Sequence, residues 1–300
     1  MSTADDLVAD PGQDEAVIYE VTATGVAVMT LNRPDRLNTW GGDIATAFYA
    51  GLDRAEEDPD VRVIVLTGRG RAFCAGAQLG SMGNVAESIE QTDEGKLASL
   101  VGDRQPQHLT TLCKPVIAAI NGSCVGIGLT QALMCDVRFA AAGAKFAASF
   151  ARRGLIAEYG VSWILPRLTG WGVALDLLLS GRTFLADEAA QLGLVKEVVP
   201  SEQLMTRAMA YAEDIAQNCS PASMAVIKRQ AYGDAMREVA DSSSRSEVLL
   251  QRSLQLPDVI EGITSFLEKR SPSFPGLSVS AIATDESCGT GKDDHGNLGL

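Results

Sequence analysis

Histidine is nearly missing from this chain. Only His108 and His295 occur, the second in a polar tail. A Ser–His triad or a His/Cys metal site therefore has almost no material. The six cysteines, Cys74, Cys113, Cys124, Cys135, Cys219 and Cys288, form no CxxC pair. That excludes a secreted disulfide framework and fits a reducing cytoplasm. No apolar run reaches membrane-spanning length. Cations are outnumbered, 25 Lys and Arg against 38 Asp and Glu, for a net charge of −13. So acidic a chain repels phosphate backbones and anionic bilayer surfaces, so neither nucleic acid nor membrane is expected as a partner. The opening MSTADDLVADPGQDEA is acidic, lacks a basic n-region, and does not read as a signal peptide.

What is present is ordinary in bulk and specific in two places. The apolar content of 46 % over 300 residues is enough for a sizeable core. Residues 61–67 (VRVIVLT) are followed by GRGRAFCAGAQL, and residues 115–120 (PVIAAI) by NGSCVGIGLTQAL. A buried strand that breaks into small residues and opens a helix presents backbone N–H groups at a ligand site. Two such loops can hold one oxyanion from both sides, the geometry that acyl-thioester chemistry needs.

Strands and helices alternate up to about residue 200, and only helices follow. The pattern predicts strands at 17–19, 25–31, 61–66, 115–120, 137–141 and 194–199. Helices are expected at 43–57, from 126–128 to 134, from a Ser162 cap to 168, at 172–179 and at 187–191. Ser220-Pro221 and Leu256-Pro257 each open a further helix. This gives an α/β class with four parts: a flexible arm at 1–13, a core at 14–200, a helical region at 201–270, and a polar, disordered tail at 271–300. The polar stretch 80–106 reads as a mobile cover over a site.

Seven segments in order resemble the enoyl-CoA hydratase/isomerase family, the crotonase superfamily. They are LNRPDRLNTW (31–40), GRAFCAGAQL (70–79), KPVIAAINGSCVGIGL (114–129), CDVRFAA (135–141), RRGLIAEYGVSWILPRLTG (152–170), LLLSGRTFLADEAAQLGLVKEVV (177–199) and FLEKRSPSF (266–274). The resemblance implies a spiral of ββα units with a C-terminal helical region that builds trimers, often paired into hexamers. It implies a coenzyme A thioester as substrate, with no further cofactor and no metal. It places the two oxyanion amides at Ala77 and Ile127, with Ala75, Gly76 and Gly126 shaping the loops. It assigns Arg36 and Arg71 to the CoA phosphates, and Phe266 and Lys269 to a neighbouring subunit's CoA.

The pattern breaks at two carboxylates. Family hydratases use two glutamates, and by register those positions are Thr130 and Phe150 here. Adding water across a double bond needs a base for the water and an acid for the α-carbon. One carboxylate remains in register, Glu158. A double-bond shift needs only one base, and Phe150 would dry the pocket and raise that base's pKa. The resemblance with this departure implies a Δ3–Δ2-enoyl-CoA isomerase acting through Glu158. The alternatives are a hydratase or acyl-CoA hydrolase of unusual mechanism, or a catalytically silent acyl-CoA-binding homologue.

Overall fold

The computed structural model describes residues 15–78 and 104–277. The expected arm at 1–13 and most of the expected cover at 80–106 lie outside the described residues. Ten strands and ten α-helices are described. In chain order the strands are β1 (Val17–Val21), β2 (Val26–Leu31), β3 (Val63–Gly68), β4 (Ala72–Cys74), β5 (Val116–Ile120), β6 (Ser123–Val125), β7 (Val137–Ala141), β8 (Lys145–Ala147), β9 (Thr183–Leu185) and β10 (Glu197–Val199). The helices are α1 (Gly42–Glu57), α2 (His108–Thr111), α3 (Ile127–Met134), α4 (Val161–Thr169), α5 (Trp171–Ser180), α6 (Ala186–Gln191), α7 (Leu204–Asn218), α8 (Pro221–Gly233), α9 (Val239–Ser253) and α10 (Pro257–Glu268).

The larger sheet runs β1-β2-β3-β5-β7-β10, and every pair but β1–β2 is parallel. Its central strands β3 and β5 are buried at every residue, as their unbroken apolar runs require. Alternate side chains serve two cores. Ile64, Leu66, Val116 and Ala118 face the main core, which also takes α1 and α3. Val63, Val65, Ile117 and Ala119 face α7. That helix offers Leu204, Ala208, Ala212 and Ala216, one residue every four, so a stripe of small side chains lies against the sheet.

The smaller sheet, β4-β6-β8-β9, consists of three-residue strands. The sequence pattern gives no sign of β4, β6 or β9, because three residues are too few to show a period. Each follows or adjoins a longer element, so β3 leads to β4, β5 to β6 and β7 to β8. This repeated step from large sheet to small, with α3 closing the second unit, is the ββα spiral of the crotonase fold.

Two boundaries need correction. Ser162 does not cap α4 but lies inside it. The turn is made one step earlier by Tyr159 and Gly160, both at positive φ. The polar tail does not begin at 271 either. Phe274 is 9 % exposed and Leu277 5 %, the Phe274 carbonyl accepts from Arg62 Nη2 at 2.8 Å, and the Ser273 amide donates to Glu261 at 2.6 Å. Two apolar side chains are enough to dock an otherwise polar segment. Residues 278–300 lie outside the described residues.

Candidate active site

β4 and β6 are parallel neighbours, with Ala72 opposite Ser123 and Cys74 opposite Cys124. The chain therefore leaves both strands side by side. A Cβ built on Gly126 would stand 3.9 Å from the Gly76 Cα, and one on Gly76 would stand 3.5 Å from the Val125 carbonyl. Gly76 has φ +107 and Gly126 φ +55, values that side chains with a Cβ rarely adopt. The topology thus brings together the two loops that the sequence pattern marked.

Each loop is held from behind. Trp40 forms a parallel bridge with Ala77. The Trp40 amide donates to the Gly76 carbonyl, and the Gln78 amide to the Trp40 carbonyl, both at 2.8 Å. The Ala75 amide donates to Leu37 at 3.1 Å, and the Gly126 amide to Ala147 at 3.0 Å. Among the described residues the amides of Ala77 and Ile127 donate to no acceptor. Ile127 is the first residue of α3, so its N–H is one of the orphan donors of a helix start. The helix presses hard on β4: a Cβ at Gly128 would stand 2.3 Å from the Cys74 carbonyl.

Two buried asparagine contacts lock the surroundings. Asn38 takes a left-handed conformation, accepts from the Arg33 amide at 2.7 Å and donates to the Ala72 carbonyl at 2.8 Å. Asn121 accepts from Gly68 at 3.1 Å and donates to Gly70 at 2.8 Å. Neither was singled out from the sequence. The Asn-Gly pair at 121–122 and the Asn at the end of LNRPDRLN were the available signals.

Thr130 is buried and donates its hydroxyl to the Gly126 carbonyl at 3.3 Å, so it braces the loop. Phe150 is buried, and its carbonyl caps the turn at 151–153 by accepting from Arg153 and Leu155. Both usual glutamate positions are therefore filled by groups that take no part in proton transfer. Glu158 is half-buried in the segment leading to α4. Burial raises its pKa, and no ion pair or hydrogen bond reaches its carboxylate among the described residues. The next residue, Tyr159, has φ +55. Its phenol is pushed up to about 12, by burial first and by Glu158 second.

The proposed CoA contacts are dispersed. Arg36 already binds Asp43 through both carboxylate oxygens, at 2.5 and 2.6 Å, and Gln78 at 2.5 Å. A phosphate would have to share it. Arg71 is exposed at the turn before β4 and has no acidic partner among the described residues. Phe266, 80 % exposed, and Lys269 stand at the end of α10. Asp136 is fully used in holding α8. It accepts from the Val116 amide at 2.7 Å and the Tyr232 hydroxyl at 3.1 Å, and pairs with Lys228 at 2.7 Å.

Comparison with known proteins agrees with this geometry. A family model described as enoyl-CoA hydratase/isomerase matches residues 21–276. A 1,2-epoxyphenylacetyl-CoA isomerase of Escherichia coli (strain K12) is 36 % identical over 253 residues, 84 % of this chain and 95 % of the relative. A probable enoyl-CoA hydratase of Rhodobacter capsulatus is 36 % identical over 259 residues, 86 % of this chain and 97 % of its own. The crystal structure of an enoyl-CoA hydratase from Mycobacterium marinum is 69 % identical, with a TM-score of 0.63, covering 74 % of this chain and all of its own. That of an enoyl-CoA hydratase from Bacillus anthracis, 30 % identical, superposes with a TM-score of 0.79 over 87 % of this chain and all of its own. The chain belongs to the enoyl-CoA hydratase/isomerase family.

Proposed function

We propose that this enzyme shifts a double bond in an enoyl-CoA, between the Δ3 and Δ2 positions, with Glu158 as its single base. The observation that carries this reading is one desolvated carboxylate in the register of the active site, while Thr130 and Phe150 occupy the positions of the usual pair. The Ala77 and Ile127 amides would bind the thioester oxygen. Glu158 would take a proton from the α-carbon of a 2-enoyl chain's 3-enoyl isomer, leaving a dienolate, and return it at the γ-carbon. No water or second acid is consumed. Two preorganised donors can each supply about 3 kcal/mol to such an oxyanion. A raised glutamate pKa matches a base to neutral pH.

The same reading places the protein in the cytoplasm, where Cys74, Cys113, Cys124 and Cys135 stay reduced, buried and unpaired. It takes no cofactor beyond the substrate's own CoA. It assembles as a trimer or hexamer, in which Phe266 and Lys269 reach a neighbour's CoA and Arg36 and Arg71 serve their own.

The names of the hydratase relatives favour a second reading, hydration with Glu158 positioning water. The two separate cleanly when 2-enoyl-CoA and 3-enoyl-CoA are incubated in deuterated water and the products weighed. Interconversion with deuterium uptake and no mass gain of water supports the isomerase. Hydroxyacyl-CoA supports the hydratase. Binding without either supports a silent acyl-CoA-binding homologue.

A further inference from the structure

Behind the two loops lies a polar group that the reaction does not use. Gln131 on α3 is 2 % exposed, and neither its amide oxygen nor its amide nitrogen has a hydrogen-bond partner. Tyr49 on α1 is 6 % exposed, and its hydroxyl is likewise unpartnered. Leaving a buried polar atom unsatisfied costs on the order of 1–3 kcal/mol. Three such atoms meeting in one place call for something that completes them.

The two side chains are near each other. The Gln131 amide bears on the Tyr49 phenol, though not in hydrogen-bonding geometry, and the Tyr159 phenol acts on it as well. Their carriers are the elements that build the site. Gln131 lies one helical turn beyond Ile127, about 6 Å further along α3. The Tyr49 ring meets Trp40 edge-on at 6.1 Å, and Trp40 pairs with Ala77. Tyr159 follows Glu158. The group thus lies a few ångströms past the thioester site, on the side where an acyl chain must extend.

We propose that Gln131 and Tyr49 form a hydrogen-bonding seat for a neutral polar group, a hydroxyl or an oxo group, on the substrate's acyl chain several carbons beyond the thioester. The proposal rests on the acyl-thioester reading of the same site and narrows its substrate class. An amide and a phenol both donate and accept, so they suit a group that can do either or both. An ionised group is disfavoured, because the nearest guanidinium, Arg104, is bound to Asp53 at 2.5 Å and 2.7 Å. A plain alkyl chain would bury these atoms without partners, and sites that hydrogen-bond a substrate hydroxyl reject such analogues strongly.

The test measures dissociation constants by calorimetry, so it does not depend on turnover. The ligands are saturated acyl-CoA thioesters of one length, unsubstituted or carrying a single hydroxyl or oxo group at successive carbons past the third. The full-length protein is compared with Gln131→Leu and Tyr49→Phe. The expected result is a preference of about 100-fold for one substituted thioester, reduced to within a few-fold in both variants, with melting temperatures unchanged or raised. Equal binding of all the thioesters by the wild type overturns the seat and leaves the acyl-CoA reading standing. A preference that survives in both variants overturns the assignment to these residues. Variants that melt higher without losing a preference show a pair satisfied by internal water, which also overturns it. Failure of every thioester to bind overturns the acyl-CoA reading itself, and the seat with it.

Discussion

Gly76 and Gly126 face each other across the ends of two adjacent parallel strands, so close that a Cβ on the second would touch the Cα of the first at 3.9 Å. Both have positive φ. The space beside them leaves room for a side chain, so the strain of a substitution is conformational. Gly126→Val should cost about 1–3 kcal/mol of stability and tilt the Ile127 amide away from its aim. Turnover is expected to fall at least 100-fold, with far-ultraviolet circular dichroism retained. Near-normal kcat in a folded Gly126→Val protein would remove the oxyanion assignment.

The roles of Glu158 and Thr130 separate by chemistry. Glu158→Gln keeps the shape but cannot accept a proton, and loss of a general base typically lowers the rate by ~10²–10⁴. Thr130→Ala removes one hydroxyl bond to the Gly126 carbonyl, worth about 1 kcal/mol, and should slow the enzyme by less than about 10-fold. Steady-state rates on one active enoyl-CoA decide the order. If Glu158→Gln runs as fast as Thr130→Ala, the base lies elsewhere.

Burial raises the Glu158 pKa, so its base form is lost earlier on acidification than that of an ordinary glutamate. The acid limb of kcat/KM should lie above the usual carboxylate range and vanish in Glu158→Gln. The stability sign is opposite to that of a salt-bridged acid. The folded state holds the proton more tightly, so stability falls as pH rises from the unfolded to the folded pKa. Above that window Glu158→Gln should melt at or above the wild-type temperature in a thermal scan, while Glu158 still ionises in the parent.

The legible parts of the sequence were those where local composition and burial agree. β3 and β5 are unbroken apolar runs because both faces are covered, and α1 shows Ile44, Phe48 and Leu52 on one buried face. The glycines of the two loops were visible for a similar reason, since positive φ leaves few other choices. The short strands β4 and β6 were not visible, yet their pairing is what sets the loops side by side. Tyr49 reads as one more core residue of α1, and Gln131 as a polar interruption of α3. Nothing local says that they meet. Arg36 looked like a free cation because Asp43 and Gln78, its partners, come from other turns of the chain.

Assembly follows from α10. Ile260, Ile263 and Leu267 recur at helical spacing and are strongly exposed, with Phe266 beside them. Such a stripe is unstable in water and marks an interface. Light scattering at micromolar concentration should give a trimer or its double. Ile263→Asp with Leu267→Asp should give monomers. If Phe266 and Lys269 complete a neighbour's site, those monomers will also bind acyl-CoA more weakly. A monomeric wild type would contradict both statements.

The C-terminal boundary gives the last prediction. Phe274 and Leu277 are buried, Arg62 bridges the Ala216 carbonyl at 3.1 Å and the Phe274 carbonyl at 2.8 Å, and Glu261 holds both Arg270 and the Ser273 amide. Ending the chain after Leu277 keeps all of these contacts. Ending it after Arg270 removes two buried apolar side chains, each worth roughly 1.5–3 kcal/mol, and frees one arm of Arg62. The first truncation should match the full chain in melting temperature, mass state and rate. The second should melt several degrees lower, because about 1 kcal/mol corresponds to ~2–4 °C in a domain of this size. If the two truncations melt together, the segment from 271 to 277 contributes nothing to the fold, and the composition-based boundary at 271 was the better one.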